Sequence, residues 1–142
     1  NAGNLAKARG IEVVEVRSAR RAAYANSLGV ALRTGGENVS VLGMIGVNNA
    51  LRVLGVNNID IEAPLKGFLL LIRNQDVPGV IGRVGTLLGQ HKINIANFAL
   101  GRLLGSKEAM GIVNVDQKVP PEVLAGLRAI PAVRQARVIE IR

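Results

Sequence analysis

The apolar positions change their rhythm partway along the chain. The first ten residues, NAGNLAKARG, read as the end of a helix, with Leu5, Ala6 and Ala8 as helix formers and Gly10 as its stop. Residues 11–17 (IEVVEVR) alternate well enough to predict a strand, with Ile11, Val13, Glu15 and Arg17 on one side. Residues 20–26 read as a short helix or an irregular turn. Further strands are expected over 27–33, 39–45, 51–56 and 59–63. Gly35–Gly36 marks a hairpin between the first two of these. GVNN occurs at 46–49 and again at 55–58. Its flanks do not match, so it reads as two similar turns rather than a repeat.

Pro64–Gly67 is the expected linker, and the pattern beyond it differs. Residues 68–73 (FLLLIR) form a near-continuous apolar run, as in a strand buried on both faces. A polar loop over 74–79 leads to apolar residues at 80, 81, 84, 87 and 88, which is helical spacing. Strands are expected over 93–100 and 108–115. Pro120–Pro121 opens a second helix with Val123, Leu124, Leu127 and Ile130 on one side, and Pro131 ends it. Residues 133–141 close the chain as a strand. The order βαββαβ is that of a ferredoxin-like unit. The fold class is therefore α+β, with a strand-rich domain over 1–66 and a ferredoxin-like domain over 67–142. Both helices of the second unit must cover one sheet face. The other face then needs another domain or a second copy, so dimerisation through this half is expected.

Composition narrows the function. The chain has 142 residues, 49% of them hydrophobic, which is too apolar for a disordered segment. It has no Cys and a single His, His91. These exclude disulfides and a thiolate site, leave a His-based zinc site short of ligands and argue against a Ser–His triad. No uncharged apolar run reaches the roughly 18 residues of a membrane span. The expectation is a soluble, cytoplasmic chain without a catalytic centre of its own. It opens on Asn1 rather than Met, as a piece of a longer protein would. The net charge of +8 suggests nucleic acid at first sight. Yet aromatic residues make up only 2%, too few for base stacking, and the basic residues are scattered along the chain. The charge is read as a solvated surface with, at most, one small-anion site. Neither a nucleic-acid nor a membrane partner is expected.

The stretch from Arg73 to Asn97, RNQDVPGVIGRVGTLLGQHKINIAN, is the candidate for chemistry. Pro78 suits the first turn of the helix, and Gly79 lets its backbone approach a ligand. The N–H groups of Gly79, Val80 and Ile81 are free to bind an anion. Asp76 precedes them, either as a helix cap or as a partner for a ligand ammonium. Carboxylate and N–H groups together suit a zwitterion, meaning an amino acid. Gly82 and Gly85 lie inside the helix and point to close packing there, at roughly 1 kcal/mol each relative to Ala. The spacing Gly79, Gly82, Gly85 lacks the GxG turn of a dinucleotide site.

LLIRNQDVPGVIGRVGTLLGQHKINIA resembles the opening half of an ACT domain, the small module that binds amino acids, and NVDQKVPPEVLAGLRAIPAVRQARVIEI resembles its closing half. With NAGNLAKARGIEVVEVRSA and GGENVSVLGM before it, the whole chain resembles the C-terminal region of long-form bacterial D-3-phosphoglycerate dehydrogenases: an intervening allosteric substrate-binding domain followed by the ACT domain. The resemblance implies a parent enzyme of serine biosynthesis that uses NAD in a catalytic region preceding Asn1, with no cofactor in this segment. It also implies an L-serine site between the ACT domains of two copies. Asn74, Asp76, Pro78, Gly79 and Val80 would come from one copy and Asn94 from its partner. Asn94 also reads as a plain turn residue in HKIN. Val77 stands where many relatives have Arg. In the first domain, Arg52, with Lys66 and Arg33, would form an anion site, although Pro64 and Asn114 are uncharged where basic residues would help. Two other readings stay open: the regulatory part of an iron–sulfur L-serine dehydratase, and an ACT module that only oligomerises.

Overall fold

A computed structural model of the chain describes residues 2–16, 26–36 and 38–141. Helix α1 (Ala2–Ala8) ends as its sequence predicts. Gly10 takes φ +67°, its N–H donates to the Lys7 carbonyl, and the Ile11 N–H reaches back to the Ala6 carbonyl at 2.9 Å. That pair of bonds is a Schellman cap. The expected strand over 11–17 does not form over 11–16. The alternation is present, but Ile11, Val13, Val14 and Val16 are exposed, and no pairing strand is placed beside them among the described residues. Arg17 and residues 20–25 lie outside the described residues.

The first sheet is an antiparallel meander of β1 (Ser27–Leu32), β2 (Val39–Ile45), β3 (Leu51–Val56) and β4 (Ile59–Pro64), in that spatial order. The two GVNN segments do the same job. Asn48, Asn49, Asn57 and Asn58 all adopt positive φ between 50° and 64°. Asn tolerates the left-handed region better than other side chains, so paired Asn residues turn the chain between strands.

The second sheet has the order β6-β7-β5-β8, fully antiparallel among neighbours. Its strands are β5 (Gly67–Gln75), β6 (Ile95–Arg102), β7 (Glu108–Val115) and β8 (Val133–Ile141). Helices α2 (Val80–Gln90) and α3 (Pro121–Arg128) cover one face, giving the βαββαβ order read from the sequence. Strand β5 is apolar on both sides because both sides are buried. Leu70 and Ile72 join Val84, Leu88, Val123 and Leu127 under the helices. Leu69 and Ile112 face the other way. Ile81, expected in the helix core, is about half exposed. Gly82 and Gly85, expected at a close contact, would each present a Cβ to open space. The tight approach in the helix layer is instead Gly126 of α3 against the Leu87 side chain, 3.1 Å from where a Cβ would stand.

The face opposite the helices is covered by the chain itself. Val53, Val56, Ile59, Ile61 and Ala63 of β3 and β4 form one buried cluster with Leu69, Met110 and Ile112. Each such large side chain withdrawn from water contributes roughly 1.5–3 kcal/mol. Of the two covers that the bare sheet face was expected to need, another domain or a second copy, the first sheet supplies the former, so this face does not by itself call for dimerisation. The connection between the sheets is only Leu65 and Lys66, held by Asn114. The Asn114 Nδ2 donates to the carbonyls of Pro64 at 3.0 Å and Lys66 at 3.2 Å.

Candidate functional site

The β5–α2 connection is built by backbone bonds on both flanks. The Gln75 N–H donates to the Ala132 carbonyl, and the Asp76 N–H to the Lys107 carbonyl, each at 2.8 Å. Asn74, buried beneath the loop, donates from Nδ2 to the Gln75 carbonyl at 2.6 Å. Pro78 then leads to Gly79, the N-cap of α2, which takes a φ of +86°. Only the backbone angle requires glycine there, since a Cβ would meet nothing within 4 Å. Val80 is buried and anchors the first turn. The N–H groups of that turn have no acceptor within the helix and carry the positive end of its dipole.

The capping reading of Asp76 is corrected. The cap is Gly79, and no side chain caps the helix. The Asp76 carboxylate instead pairs with Arg102 at the end of β6, Oδ2 to Nε at 3.0 Å. Sequence reasoning missed Arg102 as a neighbour of the loop. A signal did exist: β5 and β6 run parallel through β7, so the residue ending β6 returns to the edge where β5 ends.

Asn94 is not at that edge. It precedes β6, and Ile95 pairs with Val115, the residue opposite Phe68 at the start of β5. The strand from Phe68 to Gln75 separates the two positions by roughly 23 Å at about 3.3 Å per residue. Asn94 donates from Nδ2 to the Asp116 carboxylate at 2.6 Å, and its carbonyl accepts from the Asp116 N–H. One copy therefore brings together Asn74, Asp76, Pro78, Gly79 and Val80, and holds Asn94 at the far end of the same sheet.

The three basic residues expected to share an anion do not converge. Arg52 is the second residue of β3, opposite Pro64 and Met44, and its Nε holds Glu62 at 2.7 Å. Lys66 lies two residues beyond Pro64, at that same end. Arg33 follows β1 at the other end, where Leu32 pairs with Val39. The register of the meander thus keeps Arg33 apart from Arg52.

The groups at the β5–α2 loop are a carboxylate paired with a guanidinium and, beside them, the backbone N–H donors of the first turn of α2. Residues 68–132 match the ACT domain family, and this part of the chain is an ACT domain. Over its whole length the chain is similar to the C-terminal region of D-3-phosphoglycerate dehydrogenases. It is 32% identical to the enzyme of that name from Synechocystis over 142 residues, 34% to that of Methanocaldococcus jannaschii over 141, and 30% to that of Bacillus subtilis over 141. Each match covers 99% of this chain and 26–27% of the relative, so the chain spans about a quarter of the length of these curated relatives. Among the described residues, no helix is long and apolar enough to cross a membrane.

Proposed function

We propose that the chain is the regulatory region of an NAD-dependent D-3-phosphoglycerate dehydrogenase, binding L-serine or a related amino acid between the ACT domains of two copies. Residues 1–66 and 67–142 act as its two domains. The observation that supports this reading best is the placement of Asp76 and Asn94 at opposite ends of one sheet. They meet only when two copies lie head to tail, so that the loop of one faces the Asn94 end of the other. Asp76 then takes the ligand ammonium. The Asn94 amide and the N–H groups at Gly79 and Val80 take the carboxylate. NAD chemistry belongs to the remaining three-quarters of such an enzyme.

Calorimetric titration of the chain with L-serine tests the site. Saturable binding is expected, lost in Asp76→Ala and in Asn94→Ala. The absence of heat and of any thermal shift at millimolar L-serine would overturn it. A second reading, an ACT module that pairs without a ligand, draws on the Asp76–Arg102 ion pair, which already gives the carboxylate a partner. Light scattering separates the two, since that reading requires the same assembly with and without L-serine.

A further inference from the structure

We infer that the amino acid taken at the β5–α2 loop carries a second negative charge on its side chain, and that Arg102 is the residue that selects it. The inference rests on the amino-acid reading of this loop and adds the class of ligand. Arg102 and Asn74 both lie opposite Ala109, so the three stand in one row across the ACT sheet. Residues paired across strands share a face. Asn74 follows Leu70 and Ile72 on the face that the helices cover. Gly101, just before Arg102, points the other way, onto Ile59 and Ile61. Arg102 therefore leaves the sheet on the side of α2, and from there it reaches Asp76.

The other arginine–carboxylate pairs differ from this one. Arg52 and Arg73 hydrogen-bond the carboxylates they hold, Glu62 and Glu108. Arg102 meets Asp76 through Nε at 3.0 Å, and no hydrogen bond accompanies that contact among the described residues. The guanidinium N–H groups and the Asp76 carboxylate thus keep their hydrogen-bonding capacity, side by side and open to solvent. The charge at this end of the sheet is also one-sided. The strand ends and the β6–β7 turn bring Arg73, Arg102, Lys107 and Arg134 together with only Asp76 and Glu108. Glu108 is spent on Arg73, which engages one of its oxygens twice. Lys107, whose carbonyl holds the Asp76 N–H, has no ion pair among the described residues. A neutral zwitterion uses Asp76 for its ammonium and the N–H groups at Gly79 and Val80 for its carboxylate. It leaves Arg102 unused and sets a second cation beside it. A ligand with an anionic side chain meets all three: ammonium on Asp76, α-carboxylate on the N–H groups, side-chain carboxylate on the fork of Arg102. It also answers the surplus of positive charge, which favours a ligand of net negative charge.

Calorimetric titration of the chain with L-aspartate and L-glutamate, each beside its isosteric amide L-asparagine or L-glutamine, tests it at constant ionic strength, with L-serine as the reference. At least one of the acids is expected to bind about tenfold or more tighter than its amide, as one charge-assisted contact supplies. Succinate, which lacks the ammonium, should bind about tenfold or more weakly than L-aspartate for the same reason. Arg102→Ala, at an exposed position, should bring acid and amide to within about twofold of each other, leave L-serine bound at least as tightly and leave the circular dichroism unchanged. Binding of L-serine with no preference for either acid over its amide would overturn the inference and leave the amino-acid reading standing. A preference undiminished in Arg102→Ala, or succinate binding as tightly as L-aspartate, would overturn the inference as well. If none of the five amino acids binds, the inference and the reading it rests on fall together.

Discussion

Gly101 on β6 lies so close to β4 that a Cβ built on it would stand 2.5 Å from the Asp60 carbonyl oxygen. The same atom would meet the Ile59 and Ile61 side chains. The absent side chain is what lets the two sheets approach here. Gly101→Ala should therefore cost about 2–3 kcal/mol, as overpacking against backbone that cannot move aside. A urea melt measures it. A loss below about 0.5 kcal/mol would show that the sheets can shift apart freely.

The Asn114 amide clamps the short connection from the other side. It is a polar residue inside β7, otherwise apolar from Ala109 to Val115, and it is buried. Asn114→Ala strands the carbonyls of Pro64 and Lys66, at about 1–3 kcal/mol for buried groups left without partners. The same denaturant melt reads this. An unchanged midpoint would mean that water replaces the amide at both carbonyls.

Arg102 competes for the carboxylate that the proposed ligand needs. The pair is exposed on the arginine side, so Arg102→Ala should change stability by no more than about 1 kcal/mol. Under the serine reading it should tighten L-serine binding severalfold, because Asp76 no longer has to leave a partner. Calorimetry with the variant and with Asp76→Ala checks both directions. Weaker binding in Arg102→Ala would instead place the guanidinium on the ligand carboxylate.

Sequence patterns are legible where local physics decides. Strands 39–45, 51–56, 108–115 and 133–141 and helix 80–90 have the bounds their periodicity implies. Paired Asn, Gly10 and Pro121 act through backbone preferences that need no distant partner. The strand expected over 11–17 does not form over the described residues 11–16, because alternation states which side could be buried, not whether anything pairs with it. The cover of the ACT sheet is hidden for a related reason. Val53, Ile59 and Ile61 carry the same apolar signal whether their partner is a second copy or the sheet that follows in the same chain. The Asp76 loop is legible as a loop, but its ion pair is not, since Arg102 reaches it only through the strand order β6-β7-β5.

The glycines of α2 provide the last prediction. Gly82 and Gly85 interrupt the helix, and a Cβ at either would have no neighbour within 4 Å, so within one chain they weaken the helix without a packing return. Ala at either position should stabilise the chain by about 1 kcal/mol, raising the melting temperature by roughly 3 °C in a chain of this size. Gly82 lies beside Gly79 and Arg83 along an open groove between α2 and α3, and Gly85 lies one turn of the helix further on. If two copies pair through this surface, the added methyl meets the partner, and the melting temperature falls instead, by an amount that grows with protein concentration. Thermal melts of Gly82→Ala and Gly85→Ala across a hundredfold range of concentration decide between these outcomes. A rise that is independent of concentration keeps this helix face outside any pairing of copies, and confines the head-to-tail contact of the serine reading to the sheet edge and the β5–α2 loop.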